Sequence, residues 1–300
     1  MSDLPTILYV AGYSRSGSTI LDIVLGGHPQ IASTGELLYL LDDARRSDRV
    51  CTCGEGFTSC EVYGEWLQGV EDPENVNATL REIESRAGVK RLLAGEVPAD
   101  KARIYRDYAR SLFAHVAEKS GARVIVDSSK SAKDAAGRPL ALARLAGLDV
   151  RVLHLSRSPQ ATIGSYVERG SNWVLEGYRK PKPLETWRPI LGWTYANRIA
   201  GSLSREFGEG YHHLRFEDFL ADPSGALQRV GALIGEDLDG IAKDVVAGRR
   251  FSAGHNVGGN RHRMTPQAIQ LKPARPASLP AAHALAMRLV GSGTARQLGY

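Results

Sequence analysis

Thr6-Ile-Leu-Tyr-Val-Ala-Gly12-Tyr-Ser-Arg15-Ser-Gly17-Ser-Thr19-Ile-Leu-Asp-Ile-Val-Leu25 is the stretch that decides the fold. Its first seven residues are β-branched, aromatic or aliphatic and run into glycine, which predicts a short strand buried on both faces. A polar turn, Tyr13 to Gly17, follows. Ser18 to Leu25 then predict a helix that stops at Gly26-Gly27 and His28-Pro29. Working outward, Arg123-Val-Ile-Val-Asp127, Val150-Arg-Val-Leu-His-Leu155 and Tyr211-His-His-Leu-Arg-Phe216 predict further strands. Residues 75–95 and 101–120 read as helices, with apolar residues at helical spacing (Ile104, Tyr108, Leu112), and another helix is expected near 223–234. Strands alternating with helices define an α/β fold with a central parallel sheet, right-handed crossovers and flanking helices. No repeat or long linker interrupts the chain, so 1–300 is read as one domain. Its irregular parts are a Cys-containing loop at 51–60, a polar, proline-bearing lid at 168–190 that carries Trp173, and a loop and helix within 264–300. Trp193 and Tyr195 are expected to pack a helix beginning near 189.

Composition narrows the function. Of 300 residues, 43% are hydrophobic and 24% charged, which excludes disordered and fibrous classes. The net charge of +5 suits an anionic ligand and falls short of a nucleic-acid-binding stripe. No apolar run is long enough to span a membrane, and the polar, acidic residues 1–5 do not look like a secretory signal. The expected address is the cytoplasm. Cys51, Cys53 and Cys60 form an odd set without the Cys-x2-Cys spacing of common zinc sites. A fourth ligand would have to come from elsewhere, His28 being one possibility that nothing selects. They are therefore read as reduced thiols in a small loop, and no metal is expected.

The turn after the first strand is where chemistry concentrates. Gly12-Tyr-Ser-Arg-Ser-Gly17-Ser18-Thr19 is G-x4-G followed by two hydroxyls at the start of a helix. Backbone N–H groups there, with the helix N-terminus, make a concave site for phosphate. A nucleoside-triphosphate loop would need Lys where Ser18 stands; here the cation is Arg15, inside the turn. A nucleotide kinase or NTPase, with Asp127 as its metal-binding acid, is the alternative enzyme class. A non-catalytic nucleotide-binding module is the alternative outside enzymes.

These residues resemble the sulfotransferases that use 3′-phosphoadenosine-5′-phosphosulfate (PAPS). Arg15-Ser16-Gly17-Ser18-Thr19 resembles that family's 5′-phosphosulfate loop. Arg157-Ser-Pro159 with Ser165 resembles its 3′-phosphate element, with Ser158 where an Asp is usual. Leu214-Arg-Phe216-Glu-Asp218 is similar to a segment whose aromatic lies near adenine. Gly259-Asn260-Arg261-His-Arg263 resembles the late loop that folds over the 3′-phosphate. Val126-Asp-Ser-Ser-Lys130 resembles the strand end that faces the sulfuryl group. The resemblance spans residues 6 to 263. It implies a P-loop nucleotide-kinase-like fold and PAPS as co-substrate. It also implies transfer of a sulfuryl group to a hydroxyl on a sugar, phenol, lipid, peptide tyrosine or natural product, with release of 3′,5′-ADP. Arg157 can fork two donors onto a phosphate that ATP lacks. Arg15 and Lys130 are the cations expected near the reacting oxygen atoms.

An alcohol acceptor must lose a proton, so a base is required. The His that many cytosolic members of the family place after the 123–127 strand is absent. Tyrosylprotein members are thought to use a Glu in a His-Pro…Gly-Glu segment, which His28-Pro29 and Gly35-Glu36 resemble with one extra residue between them. Glu36 is therefore the expected base, with Asp127 and His28 as alternatives. The apolar run after it is expected to desolvate its carboxylate and raise its pKa. With Lys missing from the phosphate loop and no accompanying carboxylate set, turnover is expected without magnesium. Strict magnesium dependence would instead identify an NTPase.

Overall fold

The computed structural model describes residues 4–131, 134–169, 187–259, 261–264, 267–268 and 279–300. Strand β1 (Thr6–Gly12) is buried at every position after Thr6, so it must run through the middle of a layered structure. Its two faces feed two cores. Ile7, Tyr9 and Ala11 pack with Tyr105, Leu112 and Phe113 of the helix Ala99–Ser120. Leu8 and Val10 pack with Leu21 and Val24 of helix α1 (Ser18–Leu25), and with Leu227 and Val230 of the helix Pro223–Ile234.

Four strands join β1 in one parallel sheet: β2 (Ile31–Ser33), β3 (Val124–Asp127), β4 (Val150–Ser156) and β5 (Tyr211–Arg215), in the order β2-β3-β1-β4-β5. Ile7 pairs with Ile125 on one side and Val150 on the other. The expected α/β sheet is thus present, with β1 at its centre. Chain connections diverge to opposite sides of β1, the point where open α/β sheets bind ligands beyond their carboxyl ends. Gly12, Asp127, Ser156 and Arg215 all end strands on that edge.

Two departures from expectation have local causes. The stretch 75–95 is two helices, Pro73–Glu84 and Arg86–Ala94. Ser85 breaks them by leaving helical geometry and capping the second with its side chain on the Gly88 amide. Strand β2 is three residues long, too short to show a period. Most of the expected lid, 170–186 with Trp173, lies outside the described residues. Trp193 is buried in the helix Trp187–Ser202, and the Arg86 guanidinium lies over the Tyr195 ring.

Beneath the carboxyl end of β3 lies a buried ionic chain. Arg138 is 2% exposed, and its Nε donates to Asp127 Oδ2 at 2.7 Å and its NH1 to Glu84 Oε1 at 2.5 Å. Tyr105 Oη donates to the same Glu84 oxygen at 2.8 Å. Removing one partner of such a network strands a charge without water, which costs about 3–5 kcal/mol. Arg138→Met should destabilise the protein by about that amount in urea unfolding; a loss below about 1 kcal/mol would show that the network is not holding β3.

Candidate active site

The turn after β1 is shaped by two close approaches. Gly17 has φ +93°, and a Cβ there would fall 2.2 Å from the Phe216 ring, so only glycine fits. Ser16 and Ser18 are buried at 3% exposure, and α1 begins at Ser18, aiming the amides of its first turn back at the 13–17 turn. Arg15, the cation of this turn, also has a positive φ, +64°. Only three described non-glycine residues do so, and two of them, Arg15 and Lys130, lie at this edge of the sheet. Such backbone strain tends to cluster at functional sites.

Arg15 and Arg157 reach one another. Arg15 NH1 donates to Ser165 Oγ at 2.9 Å, and its guanidinium lies 4.8 Å from the Tyr166 ring centroid. Arg157 NH1 donates to the Arg15 carbonyl at 3.2 Å and sits 5.5 Å from the Phe216 ring centroid. Phe216 is 4% exposed, so it acts as a buried spacer between Gly17 and Arg157. The Ser158 turn is fixed from below: Glu217 accepts the Ser158 amide at 3.0 Å and the Tyr300 hydroxyl at 3.0 Å. Arg215 closes a two-pronged pair on Asp218. Glu217 and Tyr300 are supports that sequence reasoning did not single out.

On the other side of β1, Lys130 and Glu36 meet. Lys130 Nζ donates to Glu36 Oε1 at 2.5 Å and to the Ser128 carbonyl at 3.3 Å. The two side chains are 8% and 17% exposed, so the pair sits at the edge of solvent. A cation, and not apolar surroundings alone, is therefore the immediate neighbour of this carboxylate. Glu36 is placed by Gly35, whose φ is +72° and whose Cβ would lie 2.3 Å from the Val257 carbonyl. The Glu36 amide donates to that carbonyl at 2.8 Å. A Cβ on Gly259 would lie 3.7 Å from Thr19 Oγ1, 3.9 Å from Glu36 Oε1 and 4.0 Å from Arg263 Cδ. The late loop, the turn after β1 and the Glu36–Lys130 pair thus converge. Asn260 and the side chain of Arg261 lie outside the described residues.

The alternatives to Glu36 are occupied elsewhere. Asp127 is fully buried, one oxygen on Arg138 and the other on the Ser129 amide and hydroxyl. That leaves it poorly placed to hold a magnesium ion or take a substrate proton. His28 lies past the far end of α1, where its Nδ1 accepts the Gln30 amide. Cys51, Cys53 and Cys60 do find a fourth partner, and it is His255, not His28.

Comparison with known proteins agrees with this geometry. The model of the Sulfotransferase family matches residues 6–240, and the chain belongs to that family. It is a sulfotransferase. Among solved structures it is similar to the sulfotransferase domain from the Synechococcus PCC 7002 olefin synthase. That match has 23% identity and a TM-score of 0.57, covering 100% of this chain and 96% of that one. It is also similar to the sulfotransferase domain from the curacin biosynthetic pathway, with 21% identity and a TM-score of 0.55, covering 96% and 98%. At these identities the two structures speak for the fold. No curated protein matches the chain. No helix among the described residues is long and apolar enough to cross a membrane.

Asp22, inside α1, escaped sequence reasoning, although an acid within Ile-Leu-Asp-Ile-Val-Leu is itself a signal. It is 1% exposed and accepts Asn256 Nδ2 at 2.8 Å, while Asn256 Oδ1 accepts the Ser33 hydroxyl. Burial pushes its carboxyl from 3.8 up to about 7, partly opposed by the nearby Ser33 hydroxyl and by the Lys130 charge. The fold therefore favours the protonated acid. Its contribution is full below the unfolded value near 4 and is lost as pH rises through about 7. Asp22→Asn should flatten that fall and melt higher than wild type at pH 8, with differences approaching about 1.4 kcal/mol per pH unit across the window. An Asn variant that melts lower at pH 8 would contradict this.

Proposed function

We propose that the donor is PAPS and that the reaction moves its sulfuryl group to an acceptor hydroxyl, releasing 3′,5′-ADP, within a single domain spanning 1–300. The observation that carries this reading is the pairing of Lys130 with Glu36 beside a phosphate turn that has Arg15 and lacks the triphosphate lysine. This reading assigns two anion subsites. The amides of 16–19 and Arg15 would take the 5′-phosphosulfate. Arg157, Ser165 and the late loop with Gly259, Asn260, Arg261 and Arg263 would take the 3′-phosphate.

In this mechanism the acceptor oxygen attacks sulfur in line with the bond to the 5′-phosphate. The new O–S bond forms as the bridging S–O bond breaks, and the electron pair stays on the departing phosphate oxygen. Arg15, the 16–19 amides and Lys130 stabilise that growing charge, a task for fixed donors in a site with little water. Glu36 takes the acceptor proton. Lys130 serves both partners: it orients the Glu36 carboxylate in the ground state and faces the leaving oxygen as charge develops there. Phe216 keeps Arg157 in place by its ring face.

Turnover with radiolabelled PAPS and a panel of hydroxylic acceptors tests the reading. Glu36→Gln should lower kcat by about 100-fold or more while 3′,5′-ADP affinity holds. Near-normal turnover would remove Glu36 as the base. Arg157→Ala should weaken 3′,5′-ADP more than ADP, the difference being about 1.5–3 kcal/mol by calorimetry. Equal losses would reassign Arg157 from the 3′-phosphate to bracing of the Arg15 turn.

A further inference from the structure

The Cys51–Cys60 loop is far in sequence from the late segment 250–259, yet the fold lays one on the other. His255 Nδ1 lies 3.2 Å from Cys60 Sγ and 3.7 Å from Cys51 Sγ. With Cys53 included, the four potential ligand atoms all fall within 4.8 Å of one another. A tetrahedral zinc ion, with bonds of about 2.3 Å to sulfur and 2.0–2.1 Å to nitrogen, separates its ligands by about 3.8 Å (S to S) and 3.6 Å (S to N). The cluster is thus already close to the size of that shell. All three cysteines are free thiols.

The surroundings match a metal site as well. The other nitrogen of the imidazole, His255 Nε2, lies 3.0 Å from Glu61 Oε1. A carboxylate on the far nitrogen is the usual device for aiming a histidine at a metal. Gly54, at φ +97°, returns its amide to the Cys51 carbonyl, and an isolated bridge pairs Val50 with Gly56, which makes a tight knuckle. The 254–259 side is held by Tyr63 Oη, which donates to the His255 carbonyl at 2.6 Å, and by Thr52 Oγ1, which accepts the Asn256 amide at 2.7 Å.

We propose that Cys51, Cys53, Cys60 and His255 bind one zinc ion in a closed Cys3His site that clamps the 51–60 loop to the 254–259 segment. Soft thiolates with one imidazole in a four-ligand shell select zinc over oxygen-seeking cations. Binding displaces the thiol protons to solvent and involves no redox step. Four protein ligands leave no position open to substrate, so the ion is structural. Its reach is still functional: His255 is followed by Asn256, on Asp22 and Ser33, and Val257, on Thr34 and Glu36. Then come Gly258 and Gly259, beside Glu36 and Thr19. No fourth ligand was legible in the sequence because His255 lies 195 residues from Cys60 along the chain.

Metal analysis of the full chain decides the matter, and it does not depend on the identity of the sulfuryl donor. Protein purified without chelators should carry about one zinc per chain. Reduced apoprotein titrated with zinc alone should take up the same amount with loss of its thiol reactivity towards Ellman's reagent. Cys53 is solvent-exposed, so Cys53→Ser should fold and yet hold zinc at least about 10-fold more weakly against a competing chelator. Glu61→Ala, also on the surface, should weaken zinc by about 10- to 100-fold through loss of the imidazole's orienting partner. Reduced apoprotein that takes up no zinc while all three native thiols react would overturn the proposal. So would a Cys51–Cys60 disulfide in protein freshly isolated from reducing cytosol, or zinc affinity unchanged in both variants.

Discussion

The buried guanidinium of Arg138 is the constraint from which the rest of the site follows. It holds Asp127 at the end of β3 and Glu84 at the end of a surrounding helix, all three out of water. With one oxygen fixed on Arg138, Asp127 uses the other to bend the chain through Ser129. The bent segment then docks on the turn after β2. Ser128 donates its amide to the Gly35 carbonyl, and Ser129 Oγ accepts the Leu38 amide. Lys130 is thereby held in a left-handed conformation with its ammonium on Glu36. A surface lysine would be free to swing into water; this one is not.

That arrangement sets two charged groups at the carboxyl edge of the sheet. On one side of β1, the Glu36 carboxylate rests on the Lys130 ammonium. On the other, Arg157 leaves β4 over Phe216, and Arg15 in the turn between them reaches across to Ser165. The late segment closes the gap by running beside both β2 and the start of α1. Segments distant in sequence therefore share one small region, with polar atoms held by named partners: Asn256 by Asp22 and Ser33, Glu217 by Ser158 and Tyr300.

Much of this was readable from residues. The strand-turn-helix from Thr6 to Leu25 appears with the expected bounds because a buried parallel strand leaves an unmistakable apolar run before glycine. Arg15, Arg157, Glu36 and Lys130 all arrive at one edge of the sheet, as strand-end residues in an α/β fold must. What could not be read were partnerships made by the tertiary fold. Nothing near Lys130 in sequence names Glu36, and nothing near Cys51 names His255. Asp127 looked like an available acid because Arg138, its partner, is eleven residues on, beyond a turn with no periodic pattern. Strand β2 was missed because three residues carry too little pattern to distinguish a strand from a loop.

The central claim, that this edge of the sheet is built for a nucleotide with phosphates at both the 5′ and 3′ positions, is tested most directly by equilibrium binding. Calorimetric titration of the unmodified protein with 3′,5′-ADP, ADP and ATP, without magnesium, should show 3′,5′-ADP binding at least about 10-fold more tightly than either rival, the worth of one added charge-assisted phosphate contact. Equal or tighter binding of ATP, strengthened by magnesium, would contradict the account and return the turn at Gly12–Thr19 to triphosphate chemistry.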